Sequence, residues 1–181
     1  ATLVLDWRGL WNVNVGRLAT ETEAKIRVWE EEYEALVNDQ EILENILLKG
    51  FETDYLDEIR EKPFEFLVYS DDYLVFWSKN DAVPPSFLAR ALEEGTSFLK
   101  QQSSYYEILK TTRVINGSKY YLIGMIPIHT YYPVQNEYLT DEFNPELLLP
   151  PYILLELENL PDAVSVNDRD GKALFYLRAD M

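Results

Sequence analysis

The chain has 181 residues, with 16 Lys and Arg against 32 Asp and Glu, a formal net charge of −16 and an isoelectric point near 4.4. So acidic a surface repels nucleic-acid phosphates and anionic lipid headgroups, both of which are held by clustered Lys and Arg, and nucleic acid is excluded as a partner. The absence of cysteine excludes disulfides, thiol nucleophiles and thiolate metal sites, while 47% hydrophobic and 14% aromatic residues are ample for a packed core.

From Thr20 to Lys49 there is neither Gly nor Pro, and Ile26, Trp29, Tyr33, Leu36, Leu43 and Leu47 recur at helical spacing with Gln40 completing a heptad-like series. Thr20 and Glu23 stand as a capping box, and Gly50 is a natural stop. A helix of about thirty residues would extend about 45 Å. Its stripe has two uses, packing inside one chain or forming the seam of a dimer, and the run from Glu30 to Glu34 is its solvated face. Before it, Leu3 to Val15 is Trp-rich, with Trp7 and Trp11, and short of good helix formers. A second helix is expected from Phe51 to Glu61, closed by Lys62-Pro63.

After Pro63 the period becomes that of strands. Phe64–Tyr69 and Tyr73–Ser78 read as a hairpin about Ser70-Asp71-Asp72. Residues 79–104 hold Pro84-Pro85 and a short helix from Ser86 to Glu94 that Gly95 terminates. Tyr105–Ile115 and Ser118–Ile128 flank Asn116-Gly117, the pair most favoured in a type I′ turn. A two-residue turn pairs Ile115 with Ser118, Arg113 with Tyr120, Thr111 with Leu122 and Leu109 with Gly124. The second of these strands is apolar on both faces and is expected to be central. Asn116-Gly117-Ser118 also fits the N-glycosylation acceptor, but the turn already explains it. Tyr131–Pro151 is loop with helical fragments, Ile153–Leu160 a strand or short helix, and Ala163–Asn167 with Ala173–Arg178 a last hairpin. Hairpins after a helical front predict an α+β fold with a mainly antiparallel sheet, divided into a helical segment, 1–62, and a sheet-rich domain, 63–181, packed as one unit.

Catalytic patterns are missing. The single imidazole, His129, closes the apolar run Ile126-Pro127-Ile128 as a rim or core residue, and no G-x-S-x-G accompanies it. One His without Cys cannot build a zinc site. Asp168, Asp170 and Gly171 suggest a calcium loop, yet its first and twelfth positions would be Val166 and Leu177, where carboxylates are needed. Phosphate-cradling glycine loops do not occur. Neither catalytic residue, metal nor cofactor is therefore assigned. A carboxylate pair could run glycoside hydrolysis, but among 32 acidic residues such a pair carries no specificity.

The sheet half is instead dense in Tyr and Trp, side chains suited to ligand pockets and interfaces. Asp72-Tyr73-Leu74-Val75-Phe76-Trp77-Ser78-Lys79-Asn80, Lys119-Tyr120-Tyr121-Leu122-Ile123-Gly124-Met125-Ile126-Pro127-Ile128, Tyr132-Pro133-Val134-Gln135-Asn136-Glu137-Tyr138-Leu139 with Phe143, and Asp170-Gly171-Lys172-Ala173-Leu174-Phe175 occur in this order. Together, over residues 20–178, they resemble the extracytoplasmic input domain of Bacteroidetes-type membrane sensor histidine kinases, of PAS- or Cache-like architecture.

The resemblance implies a periplasmic piece of a cell-membrane protein, anchored outside this stretch, non-enzymatic itself and joined to a cytoplasmic kinase core. It implies a small-molecule or protein signal and a homodimer in the full-length protein, with Ile26, Trp29, Tyr33, Leu36, Leu43 and Leu47 as the candidate seam. Aromatic density and the resemblance together point to Tyr69, Trp77, Tyr121, Tyr131, Asn136 and Tyr138 as ligand-binding candidates. The alternatives are an envelope protein-interaction module without small-molecule sensing and an acid–base glycoside hydrolase.

Overall fold

Asn116 and Gly117 adopt φ angles of 49° and 80°, the left-handed pair that a type I′ turn requires and that glycine adopts at no steric cost. In the structure, a computed structural model, this turn joins β4 (Ser104–Ile115) to β5 (Ser118–Thr130), and all four expected pairs, from Ile115–Ser118 to Leu109–Gly124, are formed. The structure describes residues 7–49, 53–138 and 140–180, and side chains over 14–49, 54–138 and 140–180.

The fold is α+β. Helix α1 (Trp7–Asn38) leads into α2 (Gln40–Glu44), a π-helical turn (Asn45–Lys49) and α3 (Thr53–Arg60). Then follow β1 (Glu65–Ser70), β2 (Tyr73–Trp77), α4 (Ser86–Ala91), β3 (Gly95–Gln101), and the β4–β5 hairpin. A two-residue strand β6 (Glu142–Phe143), a 3-10 turn (Pro145–Leu147), β7 (Ile153–Glu156), β8 (Val164–Asn167) and β9 (Ala173–Ala179) complete the chain.

The chain forms two compact units, Val28–Asp141 and Ala1–Arg27 with Glu142–Met181. In the second of these, β7-β9-β8 form a three-stranded antiparallel sheet. Its core takes Val15, Leu18, Ala19 and Ile26 from the helix and Leu147, Ile153, Val166, Phe175 and Leu177 from the rest of the unit. Glu23 Oε1 accepts from both the backbone N–H and the side-chain amide of Asn167, each at 2.8 Å. Asp168 Oδ1 accepts from the N–H groups of Asp170 and Lys172 and shapes the β8–β9 turn.

In the unit Val28–Asp141, strands run β2-β1-β5-β4-β3, all antiparallel, with β5 central as expected. One face receives the second half of α1. The Tyr33 ring stands edge-on to Phe64 and Phe66, its hydroxyl donates to the Leu122 carbonyl at 2.8 Å and lies 3.0 Å from Thr111 Oγ1. That ring occupies the space a side chain at residue 124 would need: a Cβ on Gly124 would sit 2.5 Å from Tyr33 Cδ2.

Several expectations are corrected. The chain is already helical at Trp7, well before Thr20, so Thr20 lies inside the helix and its hydroxyl donates to the Gly16 carbonyl, while Glu23 bonds Asn167 instead of closing a capping box. The run to Lys49 is broken at Asp39, whose extended backbone and side-chain bond to the Ile42 N–H start a new helix. Gly95 opens strand β3 instead of ending α4, which stops at Ala91. Gly50, the start of the Phe51–Glu61 helix and the side chains of Trp7 and Trp11 lie outside the described residues.

Filling the space under Tyr33 is expected to be costly. Gly124→Ala should lower unfolding free energy by about 1–3 kcal/mol, because overpacking against a hydrogen-bonded ring outweighs the strand-propensity gain. Urea denaturation of Gly124→Ala, Tyr33→Leu and the double variant checks this: the two costs should couple, whereas simple additivity would contradict the fit.

Candidate functional site

Strands β2 and β3 lie at opposite edges of their sheet, so residues 78–94 must cross it. This crossover covers the face opposite α1, where Leu67, Tyr69, Tyr106, Ile108, Ile123 and Met125 form a core cluster with Ala82 and Ala89 of the crossover. From 79 to 94 the buried residues are Ala82, Pro84 and Ala89, all small. Leu92, half-buried, also packs on this cluster, and at about 25 cal/mol per Å² of apolar area removed from water one leucine and three small residues give the segment a limited apolar footing.

Three polar side chains rise from the sheet to do so. Glu65 Oε2 accepts from the Ala82 N–H at 3.2 Å. The Tyr69 hydroxyl donates to the Pro84 carbonyl at 2.5 Å. Lys110 Nζ donates to the carbonyls of Arg90 and Leu92 at 3.0 and 2.6 Å, satisfying acceptors that the end of α4 leaves open. Its ammonium also stands 4.6 Å from the centre of the Tyr121 ring, a cation–π contact. Glu65 and Lys110 are 4% and 6% exposed, so both interactions are made away from water.

Burial sets the acid–base character of this layer. It pushes the Glu65 carboxyl up to about 7, helped by the negative charge of Asp81 and opposed by the Ala82 N–H bond and by Lys79. Burial, and then the Glu65 charge, raise the Tyr69 hydroxyl to about 12. Tyr106 is raised mainly by burial and further by Glu65 and Asp81, against a hydrogen bond from Ser104. Glu65 Oε1 has no hydrogen-bond partner among the described residues, so its charged form is poorly compensated there.

Of the aromatic candidates, the structure brings Tyr69 and Tyr121 together as directly opposed residues of β1 and β5. Trp77 pairs with Leu67 on the edge strand β2 and is 50% exposed. Tyr131 belongs elsewhere: ten residues along an extended strand place it about 33 Å from Tyr121, and Lys100 Nζ stands 4.6 Å over its ring. Asn136 and Tyr138 lie in the following loop, where Asn136 Oδ1 accepts the Tyr138 N–H, and both side chains are exposed. Ile26, Trp29, Tyr33, Leu36 and Leu43 are buried within a single chain and Leu47 is half-buried, which is the intramolecular use of the stripe.

Sequence reasoning passed over Glu65, Lys110 and Tyr106. A signal for the first was present: Glu65 interrupts Phe64-Phe66-Leu67-Val68, and a lone carboxylate in a run apolar on both faces is carried into the core by its neighbours. Among the described residues no three His, Cys, Asp or Glu side chains group as metal ligands, and no helix is long and apolar enough to cross a membrane.

The raised Glu65 pKa predicts a pH dependence of definite sign. The folded group titrates near 7 and an unburied one near 4.5, so its contribution is fully present below about pH 4.5 and is lost as pH rises through about 7. The difference is on the order of 3 kcal/mol. Glu65→Gln should flatten the fall in stability across that window and exceed the parent's stability at alkaline pH, read from denaturant midpoints at several pH values. A variant following the parent's curve throughout would contradict the assignment.

Comparison with protein-family models, with curated proteins and with solved structures finds no match to this chain.

Proposed function

We propose that this chain is the extracytoplasmic input domain of a membrane sensor histidine kinase, of PAS- or Cache-like architecture, non-enzymatic in itself. The antiparallel sheet that follows a long N-terminal helix supports this reading, as does the order of the motifs in the sheet half. The observation that carries the reading is the fastening of the crossover by Glu65, Tyr69 and Lys110.

Hydrogen bonds of this kind contribute about 0.5–1.5 kcal/mol each when neutral and about 1.5–3 when a charge takes part. Their sum is comparable to the roughly 5.5 kcal/mol of differential affinity that moves a two-state equilibrium from 1:99 to 99:1. A signal that binds one arrangement of the crossover better than the other therefore has the energy to release or lock it. In the proposed mechanism that choice biases the long helix and, through it, the kinase. The signal is a small molecule or a protein, and the full-length protein works as a membrane-anchored homodimer.

A second reading, an envelope protein-interaction module, has one observation in its favour. Tyr73, Val75 and Trp77 of the edge strand β2 are 74%, 39% and 50% exposed, a row of apolar side chains beside a strand edge that pairs with no further strand among the described residues.

The two readings separate in a thermal-shift screen of this chain against metabolite and glycan panels. A small-molecule signal at a hundred times its Kd stabilises by about 2.7 kcal/mol, which raises Tm by about 5–10 °C for a chain of this size. The sensor reading predicts such a hit, abolished together with its Tm shift by Lys110→Met, and a reading frame that continues into a membrane span and a kinase core. A stop codon directly after Met181 would contradict it.

A further inference from the structure

Where α1 ends and α2 begins, a cleft of about 230 Å³ opens against the tip of the β4–β5 hairpin, lined by Val37, Asn38, Gln40, Leu43, Arg113 and Ile115 together with Val114 and Asn116. Arg113 is the cation of this cleft. Its Nη2 donates to Asn38 Oδ1 at 2.8 Å and its Nη1 to the Thr112 carbonyl at 3.3 Å, both neutral acceptors. The guanidinium carries five N–H donors, so three have no acceptor among the described residues.

Arg17, Arg90 and Arg178 each meet a carboxylate, whereas Arg113, like Arg27 and Arg60, meets none among the described residues, and of these Arg113 lines a cleft. Nearby acids are engaged elsewhere: Asp39 caps Ile42, Glu44 accepts from Gln40, and Glu41 accepts from the Tyr55 hydroxyl. Beside the guanidinium, Val37, Leu43 and Ile115 supply an apolar wall, and the amides of Asn38, Gln40 and Asn116 supply polar groups.

We propose that this cleft binds a small organic monocarboxylate, its carboxylate on the free N–H groups of Arg113 and its short apolar body against Val37, Leu43 and Ile115. A guanidinium holds a carboxylate through parallel charge-assisted hydrogen bonds. One negative charge matches one arginine. A dianion such as phosphate would meet the repulsion of a chain at −16 without a second cation to offset it. The volume lies below the roughly 300–1,000 Å³ of drug-sized sites, which selects a ligand of a few carbons. The cleft shares no residue with the crossover-covered face, so it would be a separate input.

The test is an amide NMR titration of this chain with isovalerate, with isovaleramide as the uncharged isostere and with inorganic phosphate. Isovalerate should give saturable shifts at Asn38 and at residues 113–116 with a Kd in the range of about 0.1–10 mM. The amide and phosphate should bind at least tenfold more weakly. Arg113→Gln should weaken isovalerate tenfold or more, and Arg113→Lys by less. Asn116→Asp keeps the turn, since Asp-Gly also suits type I′, and should weaken binding severalfold by placing an anion at the cleft. Absence of saturable shifts, equal binding of the amide, preferred binding of phosphate, or unchanged affinity in folded Arg113→Gln or Asn116→Asp would each overturn the site.

Discussion

A segment that crosses a sheet must be held there by something, and in this protein the crossover sets only Ala82, Pro84, Ala89 and the half-buried Leu92 toward the sheet. The work passes to polar groups of the sheet: a carboxyl on an N–H, a phenol on a carbonyl, an ammonium on two carbonyls. Such bonds are directional, and their net strength is modest because water competes for both partners once the segment lifts. Apolar packing would have given a lid that is either down or unfolded. The polar clasp gives one whose closed state is well defined and whose opening costs an amount that a signal can supply, and the sensor reading depends on that difference.

The opposite face of the same sheet is built for permanence. Phe66 and Phe76 pack at 6.0 Å between ring centres, the Tyr33 ring meets Phe64 and Phe66, and Gly124 lets that ring approach the backbone of the central strand. Large side chains, close approach and a hydrogen bond into the β5 backbone make a seat that resists repacking. The two faces of one sheet are thus held by residues that differ in kind: aromatic volume on the first, buried polar groups on the second.

How far these features could be read in advance follows from what encodes them. The β4–β5 register was legible from Ile115–Ser118 to Tyr106–Pro127 because Asn116-Gly117 dictates the turn and a two-residue turn dictates the pairs after it, up to the irregularity at Tyr105/Tyr106. The β1–β2 hairpin was legible from its flanking aromatic runs. Strand β3 was not, since Gly95-Thr96-Ser97 carries no alternation and half-buried side chains leave no period to detect. The start of α1 was hidden by a Trp- and Asn-containing segment of low helix propensity, and its break by Asp39, which acts through a cap and not through Gly or Pro. In the site, Tyr69 and Tyr121 were visible as aromatics, but Tyr131 lies past the far end of β5 and Asn136 and Tyr138 lie in the loop after it. Lys110 could not be found by pattern at all. Its burial is created by the end of α4, an element 18 residues away that only tertiary structure brings to it.

The central claim is that polar bonds from the sheet, more than the apolar contacts of Ala82, Ala89 and Leu92, keep the crossover closed. Amide hydrogen exchange of the native chain and of Lys110→Met measures this directly. The account predicts that exchange in residues 86–92 accelerates on the order of 10- to 100-fold, the kinetic image of two lost charge-assisted bonds, while the amides of β1, β4 and β5 keep their protection. Unchanged exchange in the crossover, or acceleration spread evenly over the strands, would contradict it.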